Sequence, residues 1–150
     1  MQNLILCALA LTELFGSSYI SRNEKVGRGY PARLAACMEV VDVATELGVE
    51  PALMVAIGYV ESKFNARVVS SAGAIGVLQI IPRWDCPGGK LKGCDQIRAG
   101  VNAIRKLVVK HGGNLKLVLC HYNSGNVCTN LSKRRYTPAV LRRRHRLLIQ

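Results

Sequence analysis

Apolar residues recur at spacings of three and four along most of this chain. They do so at Leu34, Cys37, Val40, Val41 and Ala44, and again at Leu53, Val55, Ala56, Val60 and Phe64. A third set is Ile97, Val101, Ile104, Leu107 and Val108. That spacing paints one face of an α-helix, and the alternation that a half-buried strand needs is persuasive nowhere. The intervening residues are helix punctuation. Gly48 suits the position just past a helix end, and Pro51 suits the first position of the next. Asp95 is placed to cap a helix N-terminus, and Gly112-Gly113 breaks the helix that it opens. The spacing predicts an all-α domain of five or six helices, at about 32–47, from 51, 95–111, 114–122 and 138–148. A short helix is expected over 74–80, stopped by Pro82.

The length of 150 residues suits one domain, and 49% hydrophobic residues exclude a disordered chain. No apolar run approaches the roughly 20 residues of a bilayer-spanning helix. The run Leu4–Leu11 admits two readings. One is the core of a short export signal, with Gly16, Ser17 and Ser18 as a cleavage zone. The other is a retained N-terminal helix, favoured by the lack of Lys or Arg before the run and by Glu13 after it. Four segments are expected: a hydrophobic 1–20, a linker over 21–31, a catalytic 32–130 and a basic tail 131–150.

Lys and Arg number 21 against 9 Asp and Glu, a net charge of +12. Such an excess favours an anionic partner without choosing among nucleic acid, lipid headgroups and wall polymer. Between Lys133 and Arg146 lie seven Lys or Arg. Base stacking wants aromatic residues among the charges, and Tyr136 is alone there. Specific nucleic-acid binding is therefore not expected.

The shortage of acids narrows the search for chemistry. Glu61 sits in an otherwise apolar helix, where desolvation should raise its pKa and keep it protonated near neutrality. Beyond it the chain offers only Asp85 and Asp95, and Asp95 reads as a cap. The residues around Glu61 carry a resemblance. Glu61-Ser62 is followed by Phe64-Asn65, then by Ser70, Gly73 and Ala74. Gly76-Val77-Leu78-Gln79 and Pro82 follow, and His121-Tyr122-Asn123-Ser124-Gly125 comes later. In their order and spacing these segments resemble the soluble lytic transglycosylase catalytic domain, a relative of goose-type lysozyme.

The resemblance implies a lysozyme-like all-α fold acting on peptidoglycan glycan strands with neither metal nor organic cofactor. It implies one-carboxylate cleavage between N-acetylmuramic acid and N-acetylglucosamine, with Glu61 as acid and then base, leaving a 1,6-anhydromuramyl end. It implies that Ser62 orients the carboxyl and that the Tyr122 phenol contacts it. Gln79 and Asn123 are implied as sugar-binding amides, with Gly76 giving the backbone close approach and Ile81 standing near the sugar ring. The sequence departs at Val77-Leu78, Ile81, His121 and Ser124, and none of these changes removes the acid. Two alternatives stay open: a hydrolytic muramidase using Asp85 to activate water, and a wall-binding structural component. The setting would be the periplasm or cell wall, reached as part of a phage virion or a secretion or pilus apparatus, or by an export signal.

Six cysteines suggest an oxidising workplace. Cys86 and Cys94 bracket a Gly-rich loop, and Cys120 and Cys128 bracket the Tyr-Asn segment, so each pair is a candidate bridge. Spacing alone does not settle connectivity. By analogy with small exported relatives, Cys37 would instead pair with Cys94. A zinc site from Cys86, Cys94, Cys120 and His121 lacks paired C-x-x-C spacing and is not expected.

Overall fold

The computed structural model describes residues 2–15 and 29–150. The proposed cleavage zone and most of the expected linker lie outside them. The helices are α1 (Gln2–Phe15), α2 (Tyr30–Leu47), α3 (Pro51–Ser62), the single turn α4 (Pro82–Asp85), α5 (Gln96–Lys110), α6 (Leu115–Ser124) and α7 (Thr137–Leu148). A π-type turn, Ser132–Tyr136, leads into α7. Among the described residues extended pairing is limited to isolated bridges, Val69 with Ile75 and Ile75 with Ile80. The fold is all-α, as the spacing predicts.

The centre of the molecule is α3. Every residue from Ala52 to Gly58 is buried, as expected of a helix that is apolar all round. Helices α1, α2 and α7 pack about it, and α5 packs on α2. The core is aliphatic, built from Val40, Met54, Ile57, Ile104 and Leu119, with Phe64 its largest buried side chain.

Local chemistry sets the helix ends. Gly48 takes φ 71° as its N–H bonds the last turn of α2. Asp95 accepts from the Arg98 N–H at 3.1 Å, and Asn114 accepts from the Leu117 N–H at 3.3 Å, capping α5 and α6. The helix expected over 74–80 does not form. Ile75 and Ile80 exchange backbone hydrogen bonds of 2.8 and 3.1 Å. Between them Gly76 and Gln79 take positive φ, 76° and 51°, which no α-helix accommodates. Pro82 opens α4 where a stop was expected, because its ring suits a first helical position.

The described residues contain three disulfides: Cys7–Cys37, Cys86–Cys94 and Cys120–Cys128. The implied Cys37–Cys94 pairing is therefore corrected. Packing of α1 along α2 brings the Cα atoms of Cys7 and Cys37 to 5.8 Å, while Cys94 closes its own loop on Cys86. The three cysteines considered for a zinc site have no free thiol, since Cys86, Cys94 and Cys120 are each bonded to sulfur. The basic segment expected as a tail contributes Val140 and Leu147 to the core. It is tied to the start of α3 by Arg144, whose guanidinium donates to both carboxylate oxygens of Glu50 at 2.5 and 2.9 Å.

Candidate active site

The C-terminal end of α3 places Glu61 at the mouth of the molecule. The chain turns there through Lys63, at φ 54°, and Phe64, at φ 60°. The N–H of Lys63 donates to the Tyr59 carbonyl at 3.0 Å, and that of Phe64 to the Gly58 carbonyl at 3.4 Å. The Phe64 ring folds back beneath the helix, so closely that a Cβ on Gly58 would lie 2.7 Å from it. This buries the residues behind Glu61 in hydrocarbon.

The consequence is electrostatic. Burial raises the Glu61 pKa to about 7, opposed by a hydrogen bond from Tyr136. The carboxyl also lies at a helix C-terminus, whose carbonyls disfavour negative charge. The Tyr136 hydroxyl donates to Glu61 Oε1 at 2.7 Å. Tyr136 is itself largely buried against the core, and its phenol pKa is pushed well up, by burial first and then by the Glu61 charge.

The expected phenol contact therefore comes from a different residue. The Tyr122 hydroxyl donates to the Leu78 carbonyl at 2.5 Å. It fixes α6 to the turn over 75–80, and its pKa is raised by burial and then by the charges of Glu61 and Asp85. Tyr122 thus lies within the field of both carboxyls. Ser62 is buried, and its hydroxyl lies 2.7 Å from the Val77 carbonyl and 3.3 Å from that of Gly58. It ties α3 to the same turn.

An open cleft of about 1190 Å³ runs past these groups. Glu61, Gln79, Ile81, Tyr122 and Asn123 all line it. Gln79 spends its amide N–H groups on the Val68 and Gly76 carbonyls, at 3.0 and 2.9 Å, so its side chain braces the turn as well as facing the cleft. Gly76 is not at the wall. It is buried, and a Cβ there would strike the Gln96 side chain. Its role in the structure is the turn and its close packing.

Asp85 shares the cleft and accepts from the Ile81 N–H at 2.7 Å. Burial raises its pKa, opposed by that bond and by the charge of Lys106. Three further residues of the site carry no motif in the sequence. Trp84 and Asn102 line the cleft, and Asn102 Oδ1 is buried with no hydrogen-bond partner among the described residues. Tyr136 was the third. Its only sequence signal is an aromatic ring in the basic stretch Lys133-Arg134-Arg135. Among the described residues no group of three or more His, Cys, Asp or Glu is placed to hold a metal ion.

An all-α fold with one shielded glutamic acid at a helix end, facing a long cleft, is the arrangement of a lysozyme-like glycan-cleaving domain. The model of the transglycosylase SLT domain matches residues 41–139, and the chain belongs to that family. The match takes in Glu61, the turn over 75–80, Tyr122 and Tyr136. The membrane-bound lytic murein transglycosylase C of Actinobacillus pleuropneumoniae serotype 5b (strain L20) is 49% identical over 41 residues. The proteins of the same name from serotype 3 (strain JL03) and serotype 7 (strain AP76) match equally. The aligned stretch is 27% of this chain, and it spans 11% of the length of those curated relatives. No solved structure gives a significant match to the chain.

Proposed function

We propose that the protein is a peptidoglycan lytic transglycosylase that cleaves the β-1,4 bond between N-acetylmuramic acid and N-acetylglucosamine. The observation that carries this reading is Glu61, poised at about pH 7 in the wall of a large cleft. Near neutrality both its protonated and its ionised forms are populated, as one residue serving as acid and then base requires. The protonated carboxyl gives its proton to the glycosidic oxygen as the C1–O4 bond breaks. The N-acetyl carbonyl of the muramyl unit stabilises the positive centre at C1. The carboxylate then takes the proton of the muramyl C6 hydroxyl, and O6 closes on C1 to give the 1,6-anhydro ring. The proton is back on Glu61, and no water is consumed. Tyr136 occupies Oε1 and stabilises the carboxylate left after the first step.

Gln79, Ile81 and Asn123 are placed to meet the sugars, with Ser62 and Tyr122 holding the framework. The disulfides fit work outside a reducing cytosol, in the periplasm or wall, as a virion component or an exported protein. A second reading rests on Asp85, which lies in the same cleft and could activate water for hydrolysis. Mass spectrometry of digested peptidoglycan separates the two. Anhydromuramyl ends from the wild type and none from Glu61→Gln support transglycosylation. Reducing muramic ends support hydrolysis. No products from folded wild type leave a wall-binding role.

A further inference from the structure

We propose that Trp84 is the platform on which a pyranose ring of the glycan stacks, at a subsite beside the reacting bond. The proposal rests on the glycan-cleaving reading above and adds a binding residue to it.

Trp84 lies in the wall of the cleft that holds Glu61, yet 72% of it is exposed. An indole is the largest apolar side chain, and leaving it in water forgoes the stabilisation that burial would supply. A lone exposed apolar residue on a convex surface needs no account. One in the wall of a concave site does.

The hold is visible in the backbone. Trp84 sits on the single turn α4, with its N–H donating to the Ile81 carbonyl at 2.9 Å. The Asp85 carboxylate accepts from the Ile81 N–H at 2.7 Å and closes the turn from the other side. The Cys86–Cys94 disulfide begins one residue beyond Asp85 and fixes the loop that follows. The Gly89 backbone packs so tightly behind α4 that a Cβ there would lie 3.2 Å from the Arg83 carbonyl. The Arg83 guanidinium covers one side of the indole, with Cζ 4.8 Å from the ring centroid, and limits its freedom further. The backbone that carries the ring is thus fixed, which lowers the ordering cost of binding.

The chemistry of the ligand fits the surface. A β-1,4-linked N-acetylhexosamine has equatorial hydroxyls and a face of axial C–H groups. That apolar face lies flat on an aromatic ring, while the hydroxyls and acetamido group stay at the edge for polar partners. The indole N–H can serve one of them.

Trp84 is the sole tryptophan of the chain, so its fluorescence reports on this residue alone. The test uses the Glu61→Gln protein, which should bind without cleaving, and a β-1,4-linked N-acetylglucosamine tetramer as probe. The expected result is a saturable change in tryptophan emission on titration, and an affinity roughly tenfold weaker by calorimetry in Glu61→Gln/Trp84→Ala. Trp84→Tyr, which keeps a flat ring, should recover most of that loss. Calorimetric binding with emission unmoved and affinity unchanged in the alanine variant would overturn the platform. So would the absence of any binding. If the wild type releases anhydromuramyl products while emission stays flat, the reaction stands and the platform falls. If emission responds but no variant or wild type cleaves, the platform stands and the reaction falls.

Discussion

The hydroxyl of Tyr136 donates to Oε1 of Glu61 across 75 positions of sequence. The bond joins the end of α3 to the turn that enters α7, and it makes the basic C-terminal segment part of the acid's environment. The hydrogen bond favours the ionised carboxyl, so it draws the Glu61 pKa down against burial. Tyr136→Phe should remove that pull while keeping the ring. The basic limb of the pH–rate profile should move up by about 0.5–1 pH unit. A profile unmoved in pH, with kcat merely scaled, would mean that Tyr136 does not act on the carboxyl.

The same burial has a cost in stability. The pKa of Glu61 is raised on folding, from an ordinary 4.5 to about 7. The folded state therefore holds the proton more tightly than the unfolded state between those values. Stability from this group is fully present below about pH 4.5 and is lost as pH rises through 7. The loss amounts to roughly 3.5 kcal/mol at most, taking about 1.4 kcal/mol per pH unit. Glu61→Gln keeps the shape without the charge. Its stability advantage over the wild type should grow from pH 5 to pH 8 and level off above. Urea unfolding at a series of pH values checks this, and a constant difference between the two proteins would refute it.

Much of this arrangement was legible in the sequence, and what was not has physical reasons. Glu61 stands out because an acid in an apolar helix is an electrostatic anomaly and because the segments around it resemble a family motif. The cap at Asp95 is legible because capping is decided within three residues. The turn over 75–80 reads as a helix because its apolar residues mimic a helical face, while the positive φ of Gln79 goes with bonds to Val68 and Gly76. The resemblance implies a Tyr122 contact, whereas the hydroxyl on Glu61 is that of Tyr136, because which phenol reaches a carboxyl depends on the packing of α7 against α3. Sequence spacing carries no record of that packing. The Cys7–Cys37 bridge escaped for the same reason, since it follows from the docking of α1 on α2.

That bridge gives a prediction of its own. Cys7 and Cys37 enclose a long segment, with a sequence separation of 30, and closing such a loop is worth about 3–4 kcal/mol by chain entropy. A protein retaining residues 2–15 should show no free thiol when denatured without reductant. Six should appear after reduction. Cys7→Ser/Cys37→Ser should unfold at lower denaturant by about that amount while keeping its cleavage activity, because neither residue lines the cleft. Free thiols in the unreduced wild type would count against the pairing.

Gly58 marks the place where core packing and chemistry meet. Its missing side chain is what allows the Phe64 ring to tuck beneath α3, about one turn before Glu61. An added methyl would fall 2.7 Å from the ring, and a buried ring bound on all sides has little room to give way. Gly58→Ala gains roughly 1 kcal/mol from helix propensity, yet overpacking should cost about 1–3 kcal/mol. The balance should be a net destabilisation, together with a lower Glu61 pKa as the displaced ring admits water behind the carboxyl. Denaturant unfolding and the pH–rate profile read the two effects separately. A more stable protein with an unchanged profile would show that Phe64 repacks freely and does not shield the acid.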